Sequence, residues 1–487
     1  MTATPRLDLS LPVLAAAMLL ASLGVSIASV ALPTLSRVYS APVSSVQWVV
    51  LAYLIAATVA IVLAGRLGDL LGRRRVLIAG LLLFAVASVL CAVAPTLAAL
   101  IAARAAQGMA GAILMALPLS IVREAVAKER TGSAMGLLGA MSAIGTALGP
   151  SLGGMVMAGF GWRAGFVLLA GIALPVLCLA LFAMPTPPVG TRGRGGSMDW
   201  PGAALLAVAL TAYALATGGG RAGAGWGLGL SLPTALLALG LFVVVEARSA
   251  SPLVPVAILR NRAIRASLMM NLLVTTGMMS TLVVGPFFLA FGLGLNEALV
   301  GLVLAAGPVT AALAGLPAGR LTDRFGAPRV LVAGLAEMAV GLICLALLPR
   351  WFGIAGYVAA LVILTPGFQL FLAANNTLVM LAARDEQRGV VSGLLGLSRN
   401  LGFMTGASVM ATLFATAVGT EAIASASPRA IGDAFTATFV IAAGLTLLAV
   451  ILALLGRRAG SPPQEAGLPR GAGAESRQAE AQPWDRR

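Results

Sequence analysis

The sequence predicts an all-α polytopic membrane protein. Its mean hydropathy is +0.99, and of 487 residues 59% are hydrophobic and only 10% charged, against roughly 25% charged in soluble domains. Apolar residues come in continuous runs of about 20, the length a helix needs to cross a hydrocarbon core, without the period-two alternation of a membrane barrel. The basic residues are unevenly shared among the connections. With a cytoplasmic N-terminus, Arg37, Arg163, Arg221, Arg350 and Arg429 lie outside, Arg104 and Arg399 fall within spans, and the remaining basic residues are cytoplasmic. That asymmetry is the positive-inside rule, so the net charge of +15 reports topology and gives no ground for a nucleic-acid partner.

The runs follow in order. The first, residues 11–35, exceeds a signal-peptide core and lacks a clear cleavage site, so it reads as a span. Further runs occupy 45–64, 76–94, 97–121, 133–158 and 164–184, parted by connections carrying glycine, proline or charge. A polar Pro/Gly-rich stretch then leads to two more runs, 201–217 and 227–246, around the turn Gly218-Gly219-Gly220-Arg221. A second set follows at 266–291, 297–318, 330–348, 353–380, 390–416 and 433–455. The predicted organisation is a cytoplasmic N-terminus (1–10), a six-helix bundle (11–184), a linker with two additional transmembrane helices (185–265), a second six-helix bundle (266–455) and a cytoplasmic tail (456–487). Fourteen spans place both termini in the cytoplasm, and the tail has too little apolar surface to fold alone.

The two bundles are related in sequence. Glu129-Arg130-Thr131-Gly132 through Gly139 aligns without a gap on Glu386-Gln387-Arg388-Gly389 through Gly396, and at the same spacing Gly145, Gly149 and Ser151 fall on Gly402, Gly406 and Ser408. Parallel repeats of this kind place a pseudo-twofold axis along the membrane normal, with a cavity between the halves.

The most specific motif is Gly65-Arg66-Leu67-Gly68-Asp69-Leu70-Leu71-Gly72-Arg73-Arg74-Arg75, with a looser copy at Gly319-Arg320-Leu321-Thr322-Asp323-Arg324-Phe325-Gly326. A charge at the bilayer centre costs roughly 2.5 to 3.5 kcal/mol on insertion scales, so both are expected as loops at the membrane surface. The first closely resembles the G-x-L-x-D-x-x-G-R-[KR] loop of the major facilitator superfamily, whose fold of two six-helix bundles the resemblance implies here. It further implies a gating role for Gly65, Asp69, Gly72, Arg73 and Arg74, and for Gly319, Asp323, Arg324 and Gly326; the plainer reading is a topology anchor. Arg104, Gln107, Gly108 and Gly111 share one helical face. They resemble the family's R-x-x-Q-G motif, which the resemblance links to proton transfer, the alternative being hydrogen bonds from Arg104 to helix carbonyls.

Gly145-Thr146-Ala147-Leu148-Gly149-Pro150-Ser151-Leu152-Gly153-Gly154 is similar to the signature of the family's exporters. Gly145, Gly149 and Gly153 form a smooth stripe for close helix approach, and Pro150 removes a backbone donor. Many fourteen-helix drug exporters carry an acid in the first helix, where this chain has Gly24. Glu337 is the one acid well inside an apolar run and a candidate to carry a proton; the alternatives are a structural pair with Arg399 at similar depth, or a peripheral acid reaching the interface. Ser26, Ser29, Tyr53, Asn271, Thr275, Gln369, Asn375 and Asn376 are candidates for a weakly polar substrate cavity.

Cys91, Cys178 and Cys344 lie far apart in apolar runs and there is no histidine, so neither a disulfide framework nor a metal cluster is expected. Lys128, the only lysine, is not in a P-loop, so no nucleotide is expected. The resemblance implies a monomeric secondary efflux transporter of the fourteen-helix drug/proton antiporter group, with no cofactor, driven by the proton gradient. It would not be an enzyme; a dedicated metabolite permease is the alternative, and a non-transporting receptor or scaffold a remote one. Arginine in place of lysine points to a GC-rich bacterial genome and hence the cytoplasmic membrane.

Overall fold

The computed structural model describes residues 6–125, 128–183, 200–217, 228–249, 256–383, 388–419 and 423–459. The described residues are helical nearly throughout. The first half contains α1 (Arg6–Val38), a short α2 (Val43–Val46), α3 (Trp48–Leu71), α4 (Arg73–Val93), α5 (Leu97–Ala125), α6 (Lys128–Phe160) and α7 (Trp162–Ala183). Next come α8 (Trp200–Thr217) and α9 (Leu228–Arg248), packed on each other. The second half contains α10 (Arg262–Phe287), α11 (Glu297–Phe325), α12 (Ala327–Ala382), α13 (Arg388–Thr405), α14 (Ala411–Val418) and α15 (Pro428–Ala459).

Eleven of these helices are long and apolar enough to cross a membrane, and Ile144–Phe160 and Pro201–Thr217 are shorter apolar stretches. Helix α12 doubles back at Gly353, whose φ of 51° and ψ of −126° lie outside the helical region, so its 56 residues form two arms. Large apolar side chains cover the outer surface, among them Phe182, Leu313, Leu316 and Trp351. In water this would be an aggregation liability; in lipid it is the solvated face. The linker stretch 185–199 and the tail beyond Ala459 lie outside the described residues.

Two turns have a particular backbone requirement. Gly72, between α3 and α4, and Gly326, between α11 and α12, have φ of 91° and 83°, a region that side chains with a Cβ rarely enter. These are the glycines of the two charged motifs. The expectation that each whole motif is a loop is corrected: helix α3 runs through Gly65, Arg66 and Asp69 to Leu71, and α11 through Gly319 and Asp323 to Phe325. Only the glycine step breaks the helix, because the preceding residues are all compatible with helical dihedrals.

The sequence repeat is present in three dimensions. A Cβ on Gly145 would strike the Leu19 carbonyl and Ser22 of α1, while one on Gly402 would lie 2.6 Å from the Leu272 carbonyl of α10 and also strike Thr275. Gly149 abuts Ser26 as Gly406 abuts Met279. Helix α6 thus lies on α1 as α13 lies on α10, each pair held close by glycine.

Candidate functional site at the seam between the halves

Arg104 on α5 is fully buried. Its Nε donates to the Val49 carbonyl of α3 at 2.9 Å, and its Nη1 to the Gly24 carbonyl of α1 at 3.0 Å and to Gln107 Oε1. Gln107 Nε2 then donates to Ser88 Oγ of α4 at 2.7 Å. The guanidinium lies 4.4 Å from the centroid of the Tyr53 ring, and Tyr53 donates its hydroxyl to the Ala21 carbonyl at 3.2 Å. Such contact requires α3 and α5 to be close: a Cβ on Gly108 would strike the Tyr53 backbone, and one on Gly111 its hydroxyl. Arg104 therefore joins α1, α3 and α5, while its Nη2 has no hydrogen-bond partner. Gly24 supplies a carbonyl to this network, and its Cβ position is crowded by Phe84.

Helix α6 has two faces at its Phe160 end. Gly145, Gly149 and Gly153 meet α1, whereas Gly154 meets the other half: its Cβ would lie 2.5 Å from the Glu297 carbonyl and 2.9 Å from Gly301 Cα of α11. Reciprocally, a Cβ on Gly301 would strike the Pro150 carbonyl. The same end carries polar contacts across the seam. Thr34 Oγ1 donates to Glu297 Oε1 at 2.8 Å, and Arg37 Nη2 pairs with the same oxygen at 3.3 Å. Arg37 also lies 5.4 Å from the centroid of the Phe291 ring, in the π-helical turn Phe288–Gly292 that follows α10. Midway along the seam, Thr58 Oγ1 approaches Met404 Sδ at 3.9 Å.

At the opposite end, marked by Arg73, the basic side chains reach carbonyls of their own half. Arg73 Nη1 donates to Ser120 at 3.0 Å and Arg74 Nη2 to Leu181 at 2.9 Å. Asp323 and Arg324 are exposed. The side chain of Asp69 and the surroundings of Gly65 lie outside the described residues.

The candidate pair of Glu337 and Arg399 does not form. Glu337 is half-buried beside Gly367, between the two arms of α12, whereas α13 packs on α10 and α3 and carries Arg399 elsewhere. Equal depth along two helices fixes height, not azimuth. The cavity candidates are likewise dispersed. Ser26 donates to the Ser22 carbonyl, Asn271 to Leu395, Thr275 to Asn271, Gln369 to Ala311 and Asn375 to Ser267. Ser29 is buried without a partner for its hydroxyl, and Asn376 is exposed. Sequence reasoning missed Thr34, Arg37, Phe291, Glu297 and Gly301; the only signal was a charge at each helix end, with Asn296 capping α11 through the Leu299 amide at 2.9 Å.

Two similar helical halves, sealed together near one end and faced outward with apolar side chains, define a membrane transporter. The chain belongs to the Major Facilitator Superfamily, whose model matches residues 14–287 and again 266–484. It is 27% identical over 427 residues to the riboflavin transporter RibZ of Clostridioides difficile, a match spanning 88% of this chain and 92% of that one. It is 28% identical over 416 residues to the multidrug efflux pump LfrA of Mycolicibacterium smegmatis, spanning 85% and 82%. Among solved structures it resembles a bacterial homologue of the human lysosomal transporter Spinster in an inward-facing, unoccupied conformation. The TM-score is 0.70 at 16% identity, covering 94% of this chain and 98% of that one, a likeness of fold.

Proposed function

We propose that the chain is a secondary active efflux transporter, exchanging protons for a small amphipathic organic compound by alternating access across a bacterial cytoplasmic membrane. The observation that carries this reading is the seal at one end of the seam, where Gly154, Gly301 and the Thr34, Arg37 and Glu297 contacts join the halves, while at the other end Arg74 bonds within its own half. In this reading the Arg37 end is extracellular and closed, the Arg73 end is cytoplasmic, and both termini are cytoplasmic. Counting α12 as two spans about Gly353 and adding the shorter stretches Ile144–Phe160 and Pro201–Thr217 brings the eleven to fourteen.

The driving force is the proton gradient, with no bound cofactor, and the working unit is the monomer. Of the coupling candidates, Arg104 and Arg399 are guanidiniums that keep their protons and Gln107 has none to exchange. Proton exchange therefore falls to Glu337. Relatives named as a multidrug resistance protein and a multidrug efflux pump support an exported drug-like compound. The match to RibZ along most of both chains favours a second reading, a transporter dedicated to one metabolite.

The test is transport by the purified chain in proteoliposomes. An imposed pH gradient should accelerate substrate movement several-fold without ATP, and Glu337→Gln should abolish the acceleration while leaving downhill movement. A requirement for ATP, or indifference to the gradient, would overturn the proposal.

A further inference from the structure

Arg399 lies on α13 eleven residues after Arg388, about 16 Å along a rod that continues through the π-turn Gly406–Met410 into α14. Its side chain is exposed, on a helix that packs against α10 of its own half and α3 of the other. A charged side chain at that height on a spanning helix is hydrated where it faces the space between the halves and not where it faces lipid. The surrounding helix surface agrees. Gly393 and Gly396, which precede Arg399 by six and three residues, have open space where a Cβ would stand. On the neighbouring face, Ser398 bonds the Leu268 carbonyl and Gly402 abuts α10.

Arg399 forms no hydrogen bond or ion pair with the described residues. Its counterpart in the repeat, Ser142, shares a 2.6 Å hydrogen bond with Ser22 of α1; the guanidinium has no such closure. Among the described residues, the carboxylate well inside a span is Glu337 on α12, and it is not bonded to Arg399 or Arg104. Arg104 adds a second positive charge whose partners are neutral carbonyls and an amide, with Nη2 unsatisfied. An unpaired charge at this depth is costly and marks a binding step.

We propose that the transported compound carries an oxyanion, a carboxylate or its equivalent, which Arg399 receives through its planar pair of N–H donors. This rests on the cavity being the transport path of the preceding subsection. The matched probes are carboxyfluorescein, an anionic xanthene, and tetramethylrhodamine ethyl ester, a cationic one. Binding is read by fluorescence anisotropy on the solubilised full chain, and transport in proteoliposomes.

The wild type should bind the anion about tenfold more tightly than the cation, the scale of one charge-assisted hydrogen-bonded pair. Arg399→Gln should remove that preference and Arg399→Lys should retain most of it, with monodisperse elution showing that both variants fold. Equal affinity, preference for the cation, no anion binding by the wild type, or an unchanged preference in Arg399→Gln would each overturn the assignment. Binding as expected without movement across the bilayer would sink the export reading and leave this one standing. Transport without charge preference would do the reverse.

Discussion

Arg104 is fully buried, which is costly for a cation, and its surroundings show how the cost is met. Three donors go to two backbone carbonyls and one amide oxygen on three elements, and the ring of Tyr53 covers the cation. A lysine has no planar fork to reach the same acceptors. Arg104→Ala should cost about 3 kcal/mol, the worth of one or two hydrogen bonds to a charged group, and Arg104→Lys should recover less than half; thermal unfolding of the solubilised protein measures both. The helical face of Arg104 and Gln107 was legible, because spacing fixes a face. The partners were not, since the Gly24 and Val49 carbonyls belong to the backbone and carry no sequence signature. For the same reason Ser26, Asn271 and Thr275 read as cavity residues but are occupied by helix carbonyls.

Among the elements, α6 divides its glycines between two tasks. Gly149 lets α6 lie against α1 within one half, so Gly149→Val should destabilise the fold by about 1 to 3 kcal/mol through overpacking. Gly154 touches only the opposite half among its close neighbours. Gly154→Val should leave the unfolding temperature within a few degrees while lowering transport several-fold, because it wedges the closed end apart. Comparing melting and transport for the two variants checks this division, and equal destabilisation by both would refute it. The sequence showed the stripe at 145, 149 and 153, with Gly154 outside it. A one-residue step turns the helix by about 100°, and what that new face meets depends on the packing of the other half.

For the whole molecule, the repeat was legible at a constant spacing, and the two glycine turns at Gly72 and Gly326 from the paired charged motifs at a slightly different one. The seam was not. Thr34 and Glu297 are 263 residues apart, and exposed charges at helix ends have no periodicity by which to match them. Because Arg37 and Glu297 are half and a quarter exposed, their pair is worth about 0.5 kcal/mol. Glu297→Gln keeps an oxygen for Thr34 and should shift the population roughly twofold toward an opened Arg37 end, as read by distances between spin labels at the ends of α1 and α11. The seal as a whole is set by glycine packing, with the ion pair as a trim.

The most direct test of the rocking of two halves is a reversible lock across this seam. Thr34→Cys with Glu297→Cys, in a chain whose Cys91, Cys178 and Cys344 have been replaced, is oxidised to completion and assayed for transport before and after reduction. Transport should stop in the oxidised protein and return when the disulfide is reduced. Undiminished exchange with the crosslink complete would contradict the account.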